Sequence, residues 1–501
     1  MSRRPQSTGR NSFIVMFFTL VSRILGVIRI RVFASVFGAG SLADAINFSF
    51  NIPNNLRKIF SEGALASAIV PGFSRIKEDR QRMQELFSSL LTAQLLIGVV
   101  LIGFSVAVRY PFVNLLSGFS DPEQTETAAS LLPYFNVFFV FILIAAFFSA
   151  VLQSLSAFLV QSLAPLFFSI AEIASLVFLA ARYGAYAMAY GAMAGGFLQT
   201  AVTAAAVLSK GLKLRLSFHF DSEDFREVIR RWLPAVVTSS LAVVSTQVAF
   251  SIASSLGQGA VSAFSNSLVF WQTPYGIFFT AVGTVYMPLM SVARGRELAD
   301  TYSTGLKRLL CYLLPSAVFM IFFRRDIVAV VLMTGRFTLD NSLMTASVLG
   351  VFLGGMTVVA FYSFTQKLCY CLNMQKTVLF TGIVVCGTDI VLSVGLTAAG
   401  MSVSALALAN TIAYLTGLVV LLVKLRSSLS GFDVPDFLRY SARVVVAVLP
   451  LVLVCLVIRV LLPDYWTTGS NMANLLTLGG ITAGSVALVL LSYRLFRIKL
   501  F

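Results

Sequence analysis

The sequence has 501 residues, of which 58% are apolar and only 12% are charged. Soluble domains carry about 25% charged residues, so this composition excludes a water-soluble globule and is typical of an all-α polytopic membrane protein. The formal net charge of +16 is interpreted as charge in short loops that orients the helices. We therefore expect contact with membrane lipids and no nucleic-acid partner.

Apolar windows predict fourteen transmembrane helices, which we call spans 1 to 14 in chain order. Spans 2 and 8 are the least hydrophobic, and they contain Pro53 and Pro274. Membrane β-strands would show an alternating pattern, which these runs lack. The spans cover residues 12–34, 42–70, 86–108, 129–155, 163–181, 184–208, 232–256, 261–290, 306–323, 343–366, 377–397, 401–423, 441–461 and 472–493.

Lysine and arginine counts orient these spans. With a cytoplasmic amino terminus, the connections on that side and the span ends beside them contain 26 Lys and Arg, against 6 on the other side. Positive residues concentrate in short cytoplasmic loops. The count therefore predicts that both termini are cytoplasmic.

Spans 1 and 2 carry more cations than acids. Each Arg or Lys at a helix centre costs roughly 2.5–3.5 kcal/mol, so these groups must face water, an acid or an anion. One interpretation is that Arg31 snorkels to the interface and the acids neutralise two other cations. The cations are Arg23, Arg29, Arg31, Arg57 and Lys58, and the acids are Asp44 and Glu62.

The residues around Pro53 favour a second interpretation. A proline within span 2 leaves the carbonyl of Ser49 without its helical donor, and Asn54 and Asn55 follow directly. Irregular backbone at membrane depth is tolerated only where it lines a cavity or is buried in protein. We expect a hydrated, cationic cavity that binds a phosphate or diphosphate through arginine forks, with Lys58 as a point charge.

A weak internal repeat links the two halves of the chain. Glycines and prolines recur six spans later, so the two copies enter the membrane in the same direction. Parallel six-helix repeats occur in transporters, whose substrate path lies between the halves. The matched residues are Gly38, Gly40, Pro53 and Pro71 in the first copy and Gly257, Gly259, Pro274 and Pro288 in the second.

Two further carboxylates lie within spans. Glu172 in span 5 is interpreted as structural. Asp389 in span 11 is either a protonated structural residue or half of a site for a monovalent cation or proton that couples transport to an ion gradient. No other cofactor is expected, because the five cysteines show neither Cys-x2-Cys spacing nor nearby histidines.

A series of short motifs also runs through the chain. It comprises Ser22-Arg23-Ile24-Leu25-Gly26, Phe37-Gly38-Ala39-Gly40, Asp44-Ala45, the segment from Pro53 to Ala64, Val70-Pro71, Gly195-Gly196-Phe197-Leu198-Gln199, Gly283-Thr284 with Pro288, Gly335-Arg336-Phe337-Thr338 and Gln375-Lys376-Thr377. These motifs resemble the MurJ (MviN) lipid II flippase family of the MOP exporter superfamily. The resemblance covers essentially the whole chain, and the block from Ser22 to Pro71 is its specific part.

The resemblance implies a fold and an activity. It implies two six-helix lobes around a central cavity, residues 1–225 and 226–430, followed by two helices in 431–501 that form a groove for a polyprenyl tail. It implies a flippase and not an enzyme. Such a protein moves lipid II, the undecaprenyl-diphosphate-linked peptidoglycan precursor, across the bacterial cytoplasmic membrane by alternating access. We expect a monomer, with cell-wall synthesis proteins as candidate partners.

The resemblance also implies roles for individual residues. Arg23, Arg29 and Arg57 would hold the diphosphate end of the substrate, and Asp44 would be an essential acidic partner. Asp389 falls where a cation ligand is expected. The other polar groups expected at the cavity are Lys58, Asn54, Asn55, Glu62 and Gln272.

The chain departs from the family pattern at three positions. Ile30 stands where an acid is usual, and Val269 and Gln272 stand where span 8 often carries an arginine and an acid. We therefore expect an asymmetric cavity, in which first-lobe cations hold the diphosphate and the second lobe offers neutral hydrogen bonds. Candidates for these bonds are Ser262, Asn266, Ser267 and Gln272.

Other classes of protein remain open. A polysaccharide-linked lipid flippase or a MATE-type exporter would share the architecture, although an exporter of cations would favour an acidic cavity. A lipid-diphosphate phosphatase or glycosyltransferase needs clustered carboxylates or histidine at the membrane face. The outer loop offers Asp121, Glu123 and Glu126 without a histidine. Buried arginines disfavour an inactive scaffold.

The topology predicts that residues 213 and 296 are cytoplasmic. In Lys213→Cys and Arg296→Cys variants, a membrane-impermeant thiol reagent should label the introduced cysteine only after the cells are permeabilised. Labelling of either position in intact spheroplasts would overturn the predicted orientation.

Overall fold

A computed structural model describes residues 6–60, 64–155, 157–426, 428–429, 431–467 and 470–498. Glu62 and the side chain of Arg23 lie outside this description. The described residues form sixteen α-helices and one 3₁₀ helix: α1 Gln6–Phe37, α2 Ser41–Phe60, α3 Ala64–Arg75, α4 Arg80–Leu116, α5 Pro122–Ser154, α6 Phe158–Tyr183, α7 Tyr186–Ser209, α8 Glu223–Ser255, α9 Ala260–Val292, α10 Gly295–Phe322, α11 Arg324–Leu332, α12 Leu339–Cys371, α13 Gln375–Ala398, α14 Ser404–Leu425, α15 Val434–Leu461, η1 Tyr465–Thr467 and α16 Asn471–Leu495.

Among the described residues every predicted span coincides with helix, and the all-α prediction is confirmed. Span 2 corresponds to α2 and α3, while α11 and η1 have no predicted counterpart. Eleven helices in the described part of the chain are long and apolar enough to cross a membrane. The predicted spans outside this count are span 1 (α1), span 2 (α2 and α3) and span 7 (α8). The number of fourteen transmembrane helices therefore stays a prediction.

The first compact unit, Met1–Gln258, is organised around α5. This helix packs against α2, α3, α4 and α7. In its most apolar window 78% of the residues are buried, against 28% in α4. Phe135, Phe138 and Phe147 of α5 are almost fully buried. The helix most enclosed by neighbours is therefore the one that supplies the aromatic core.

The second compact unit, Gly259–Phe501, repeats this arrangement around α12. Helix α12 packs against α9, α10, α11 and α14, and α15 packs against α10 and α16. Helix α5 is predicted span 4, and it packs against spans 2, 3 and 6. Helix α12 is predicted span 10, and it packs against spans 8, 9 and 12. This offset of six is the one that the sequence repeat predicts.

Glycines with positive φ mark the start of each copy. Gly38 (φ 70°) separates α1 from α2, and Gly257 (φ 102°) and Gly259 (φ 85°) separate α8 from α9. These backbone conformations favour glycine because it has no Cβ. Gly38 and its counterpart Gly257 therefore allow the same kind of turn before the second helix of each copy.

Helix α8 belongs to the first unit by its contacts. It packs against α2, α3 and α4. Two acids in its first turns form ion pairs with these helices: Glu227 pairs with Arg75 of α3, and Asp224 pairs with Arg82 of α4. The Nε of Arg82 lies 3.1 Å from Asp224 Oδ2. The hydrogen bond from Arg75 holds the pKa of Glu227 below its ordinary value. The contact division therefore falls after residue 258, and the predicted lobe boundary at 225/226 stays a prediction.

Candidate functional site

The best-defined charged contact of the first unit joins α1 to α6. Arg29 Nη1 donates a hydrogen bond to Glu172 Oε2 at 2.6 Å, and the Glu172 side chain is fully buried. The guanidinium of Arg29 also lies 5.4 Å from the centre of the Phe168 ring. A buried carboxylate requires such a cation, because removing one partner of a buried pair leaves an uncompensated charge. Arg29 is therefore partly neutralised within the protein.

The last turn of α2 carries a second group of polar side chains. Arg57 Nε donates to Asn54 Oδ1 at 3.2 Å, and Lys58 Nζ donates to Asn55 Oδ1 at 3.3 Å. Asn55 Nδ2 in turn donates to Gln247 Oε1 of α8 at 2.9 Å. Residues three apart in a helix share a face, so each cation is oriented by an amide on the preceding turn.

The structure differs from the prediction at Pro53. Helix α2 continues through this proline to Phe60, whereas the sequence predicts irregular backbone. Ser49 Oγ donates to the carbonyl of Ala128 in α5 at 2.8 Å. Tertiary packing against α5 and α8 thus keeps the helix intact, although the proline removes one hydrogen bond of its ladder.

The remaining first-unit candidates lie elsewhere. Asp44 is buried in the first turn of α2, with 1% of its surface exposed. It precedes Arg57 by 13 residues of the same helix, about 20 Å at the rise of an α-helix. The two groups therefore act at different depths. The predicted roles of Glu62 and the Arg23 side chain stay predictions, because both lie outside the described residues.

Asp389 lies in a polar contact of the second unit. Its side chain is buried, and Asn410 Nδ2 of α14 donates to Asp389 Oδ2 at 3.2 Å. A neutral amide stabilises a carboxylate without cancelling its charge. This geometry is compatible with either role predicted for Asp389, a structural acid or a cation ligand.

The candidate residues of α9 do not share one environment. Ser262 and Ser267 are buried, and the Ser267 hydroxyl lies within hydrogen-bond distance of two carbonyls, those of Ala263 and Thr345, at 2.7 and 2.9 Å. Gln272 is exposed and Val269 is half-buried. Ser267 thus holds α9 to α12, whereas Gln272 is accessible.

A second-unit cation also emerges on α12. Lys367 lies just beyond predicted span 10, yet its ammonium is 4.5 Å from the centre of the Phe279 ring in α9. Its Nζ occupies the space that a side chain at Gly283 would need. Within the described residues Lys367 has no carboxylate partner, which makes it a candidate that the sequence analysis missed.

The other functional contacts involve partners rather than isolated charges. Gln247 and Asn410 are polar groups in helices that the sequence did not single out, whereas Glu172, which the sequence indicates as a structural acid, is the partner of Arg29. Arg29 and Glu172 are 143 residues apart. Counting acids only in spans 1 and 2 therefore left the main partner of Arg29 out.

Comparison with known proteins identifies the family. A family model described as lipid II flippase MurJ matches residues 33–477. The chain belongs to the MurJ family. This confirms the resemblance based on the motifs, and together with the apolar helices it identifies a multi-pass membrane protein.

Individual MurJ relatives cover most of the chain. A Borreliella burgdorferi protein named probable lipid II flippase MurJ is 30% identical over 491 residues, which is 96% of this chain and 95% of the relative. A Thermotoga maritima protein of the same name is 26% identical over 412 residues, 82% of this chain and 84% of the relative.

Solved structures agree in fold. A structure titled "Lipid II flippase MurJ, inward closed conformation" matches with a TM-score of 0.81 at 24% identity, covering 97% of this chain and 98% of that one. An inward-facing MATE multidrug transporter of the MOP superfamily matches with a TM-score of 0.71 at 13% identity, covering 82% and 95%. At these identities the matches show the fold alone.

The Arg29–Glu172 pair generates a stability prediction. Glu172→Gln should lower the free energy of unfolding by about 3 kcal/mol, because it leaves the Arg29 charge without its partner. The double variant Arg29→Leu/Glu172→Leu should recover most of this loss, since neither charge remains. Arg182→Gln, an exposed change on the same helix, is the control and should stay within about 0.5 kcal/mol. Thermal unfolding of purified protein in detergent measures all three, and unchanged stability of Glu172→Gln would contradict the pairing.

Proposed function

We propose that this MurJ family member moves lipid II from the inner to the outer leaflet of the bacterial cytoplasmic membrane by alternating access. Family membership supports this substrate, and the printed names of the relatives describe lipid II flippases. The observation that carries the proposal in this chain is the group at the end of α2. There Arg57 and Lys58 donate hydrogen bonds to amide oxygens in the helix of predicted span 2, and an arginine fork suits an anionic diphosphate.

The proposed architecture has fourteen spans, two six-helix lobes and two further helices, with both termini cytoplasmic. Arg23, Arg29, Arg57 and Lys58 would hold the diphosphate and head-group end, with Asp44 and Glu62 as acidic partners. The exposed apolar surfaces of α15 and α16 support a groove for the polyprenyl tail. We propose no enzymatic step.

The roles of Arg29 and Arg57 differ in this proposal. Arg29 is held by Glu172 and stacks on Phe168, so its remaining capacity for phosphate is limited and its position is fixed. Arg57 is oriented by the Asn54 amide, which lies on the same face of α2. We propose that Arg57 makes the stronger phosphate contact, through its guanidinium fork, and that Arg29 contributes positioning.

A MATE-type exporter is the alternative within the superfamily, and its fold is similar. Transport of lipid II requires a cationic cavity, whereas an exporter of cations favours acidic and aromatic groups. Depletion of the protein discriminates the two. It should cause lipid II to accumulate on the cytoplasmic leaflet if the flippase proposal holds, and an unchanged lipid II distribution would refute it.

Substitution of Arg57 tests the diphosphate role. Arg57→Ala should abolish complementation of the depleted strain while the protein level is maintained. Arg57→Lys should fail at least partly, because a point charge cannot replace a bidentate fork. Arg31→Ala should be milder, and Gln272→Ala and Val269→Ala should be tolerated far better. Full activity of Arg57→Ala would disprove the diphosphate assignment. A Val269→Ala variant that is as inactive as Arg57→Ala would disprove the asymmetry between the lobes.

Asp389 is proposed as the coupling residue for a monovalent cation or proton. Asp389→Asn keeps an oxygen that can accept the Asn410 hydrogen bond but removes the charge. The variant should therefore weaken the dependence of flipping on an ion or proton gradient more than it weakens folding. Asp340→Asn removes an exposed carboxylate of the same unit and is the control. Unchanged flipping and ion response in Asp389→Asn would return Asp389 to a structural role.

A further inference from the structure

A cavity of about 390 Å³ lies in the second unit, where α10, α11 and α15 meet. Three arginines line it, one from α15 and two from the first turn of α11. We call this cavity the arginine pocket. Its lining residues are Ile321, Phe322, Arg324, Arg325, Arg459, Pro463 and Asp464. Its volume lies within the range of small-molecule sites, roughly 300–1,000 Å³.

Arg459 builds the wall of the arginine pocket. Its Nη1 donates to Asp326 Oδ1 at 3.2 Å, its Nη2 pairs with Asp326 Oδ2, and its Nε and Nη2 donate to the Phe322 carbonyl at 2.9 and 2.8 Å. The Asp326 carboxylate is fully buried. Arg459 is therefore committed to holding α11 against α15, and Asp326 offsets much of its charge.

Arg324 and Arg325 are the uncommitted cations of the pocket. Arg324 Nη1 donates to the carbonyl of Ile321 at 2.7 Å, and neither arginine forms an ion pair with any described residue. Asp464 is the acidic side chain in the lining, and it is exposed and likewise forms no ion pair among the described residues. Because Asp326 offsets the charge of Arg459, the excess positive charge of the lining comes from Arg324 and Arg325, against the one negative charge of Asp464.

Electrostatics in the arginine pocket favour an anion. Burial, followed by the neighbouring charges of Arg325 and Arg459, lowers the pKa of Arg324. Like charges at close range repel one another in a medium of reduced dielectric constant. A phosphate between the guanidinium groups would relieve this repulsion and could accept bidentate hydrogen bonds from them. Helix α11 adds the positive end of its dipole, and its N-cap Phe323 has no side-chain cap.

The surroundings of the pocket are those of a membrane surface. Val460 and Leu461 follow Arg459 at the end of α15, and 79% and 71% of their surfaces are exposed. The most apolar 18-residue window of this helix is the most hydrophobic among the candidate spans, with a mean hydropathy of 3.1. Large apolar side chains exposed on such a helix face lipid. Arginines at such a position can bind the phosphate of a lipid head group through bidentate hydrogen bonds.

We propose that the arginine pocket binds the phosphate or diphosphate of a membrane lipid head group through Arg324 and Arg325. The proposal rests on the topology proposed above, which places the connections after α10 and after α15 on the outer face. The ligand is then a lipid of the outer leaflet, either an anionic phospholipid or the polyprenyl-diphosphate lipid that the flippase delivers. The two share the phosphate chemistry, so the test must separate them.

Lipid binding to the purified full-length protein tests the pocket. The protein is titrated in neutral detergent with phosphatidylglycerol, phosphatidylcholine or undecaprenyl diphosphate, and bound lipid is counted by native mass spectrometry. The titrations use the Arg57→Ala background, which removes the strongest of the proposed first-unit phosphate contacts. Arg324→Gln/Arg325→Gln should weaken binding of the anionic lipids at least about tenfold, as expected for the loss of charged hydrogen bonds.

Three further variants sharpen the result. Arg336→Gln removes an exposed charge from the same connection outside the pocket lining and should bind lipid as before. Arg325→Lys should recover only part of the affinity, because it restores charge but not the fork. Asp464→Asn should tighten binding, since it removes the acid of the lining.

The lipid preference identifies the ligand of the arginine pocket. Preference for phosphatidylglycerol assigns a phospholipid, and preference for undecaprenyl diphosphate assigns the delivered lipid. Displacement of bound lipid by inorganic pyrophosphate alone, without any lipid preference, would replace the lipid by a free anion and overturn the proposal. Equal binding by wild-type protein, the double variant and Arg336→Gln would also overturn it.

The same variants separate this pocket from the proposed flippase activity. Complementation is therefore tested with Arg324→Gln/Arg325→Gln in a chain that retains Arg57. If this double variant loses lipid binding in the titrations but still complements depletion, the pocket is supported and flipping does not require it. If wild-type protein binds lipid through Arg324 and Arg325 but depletion leaves lipid II distribution unchanged, the flippase proposal fails and the pocket stands.

Discussion

Charge inside apolar helices must be compensated, and the charged contacts of this protein follow from that constraint. Each unit contains a fully buried carboxylate paired with an arginine from another helix, Glu172 with Arg29 and Asp326 with Arg459. In both pairs the arginine retains about a fifth of its exposure and lies just over 5 Å from the centre of a phenylalanine ring. The pairs join α1 to α6 and α11 to α15. In each unit the ion pair therefore both compensates a buried charge and holds two helices together.

The packing around the pairs uses the same plan twice. Helices α5 and α12 are enclosed by equivalent neighbours, and glycines with positive φ precede the second helix of each copy. Enclosure on all sides requires apolar residues around the whole circumference, which explains the phenylalanines of α5. Helices at the lipid side, such as α4 and α16, need fewer internal contacts. Their apolar surfaces remain available to lipid tails.

The cations at the end of α2 are oriented by amide side chains. Arg57 and Lys58 donate hydrogen bonds to the amide oxygens of Asn54 and Asn55. Gln247 of α8 in turn accepts a hydrogen bond from Asn55. An amide satisfies a donor without supplying negative charge. The Asn54 contact therefore orients the Arg57 guanidinium, whereas the Glu172 contact also offsets the charge of Arg29.

The sequence alone determined the membrane class, the positions of the helices, the six-span repeat and the family, because these depend on local hydrophobicity and on ordered motifs. It also marked Arg29, Arg57 and Asp389 as unusual, since a charge in an apolar run is visible without a structure. Only the tertiary structure decided which groups meet. The partnership of Arg29 with Glu172, the continuity of α2 through Pro53, the contact of Lys367 with α9 and the arginine pocket all join residues or helices that are distant in the chain or held by neighbours. Hydrophobic periodicity specifies which segments become helices, but side-chain partners depend on how those helices pack.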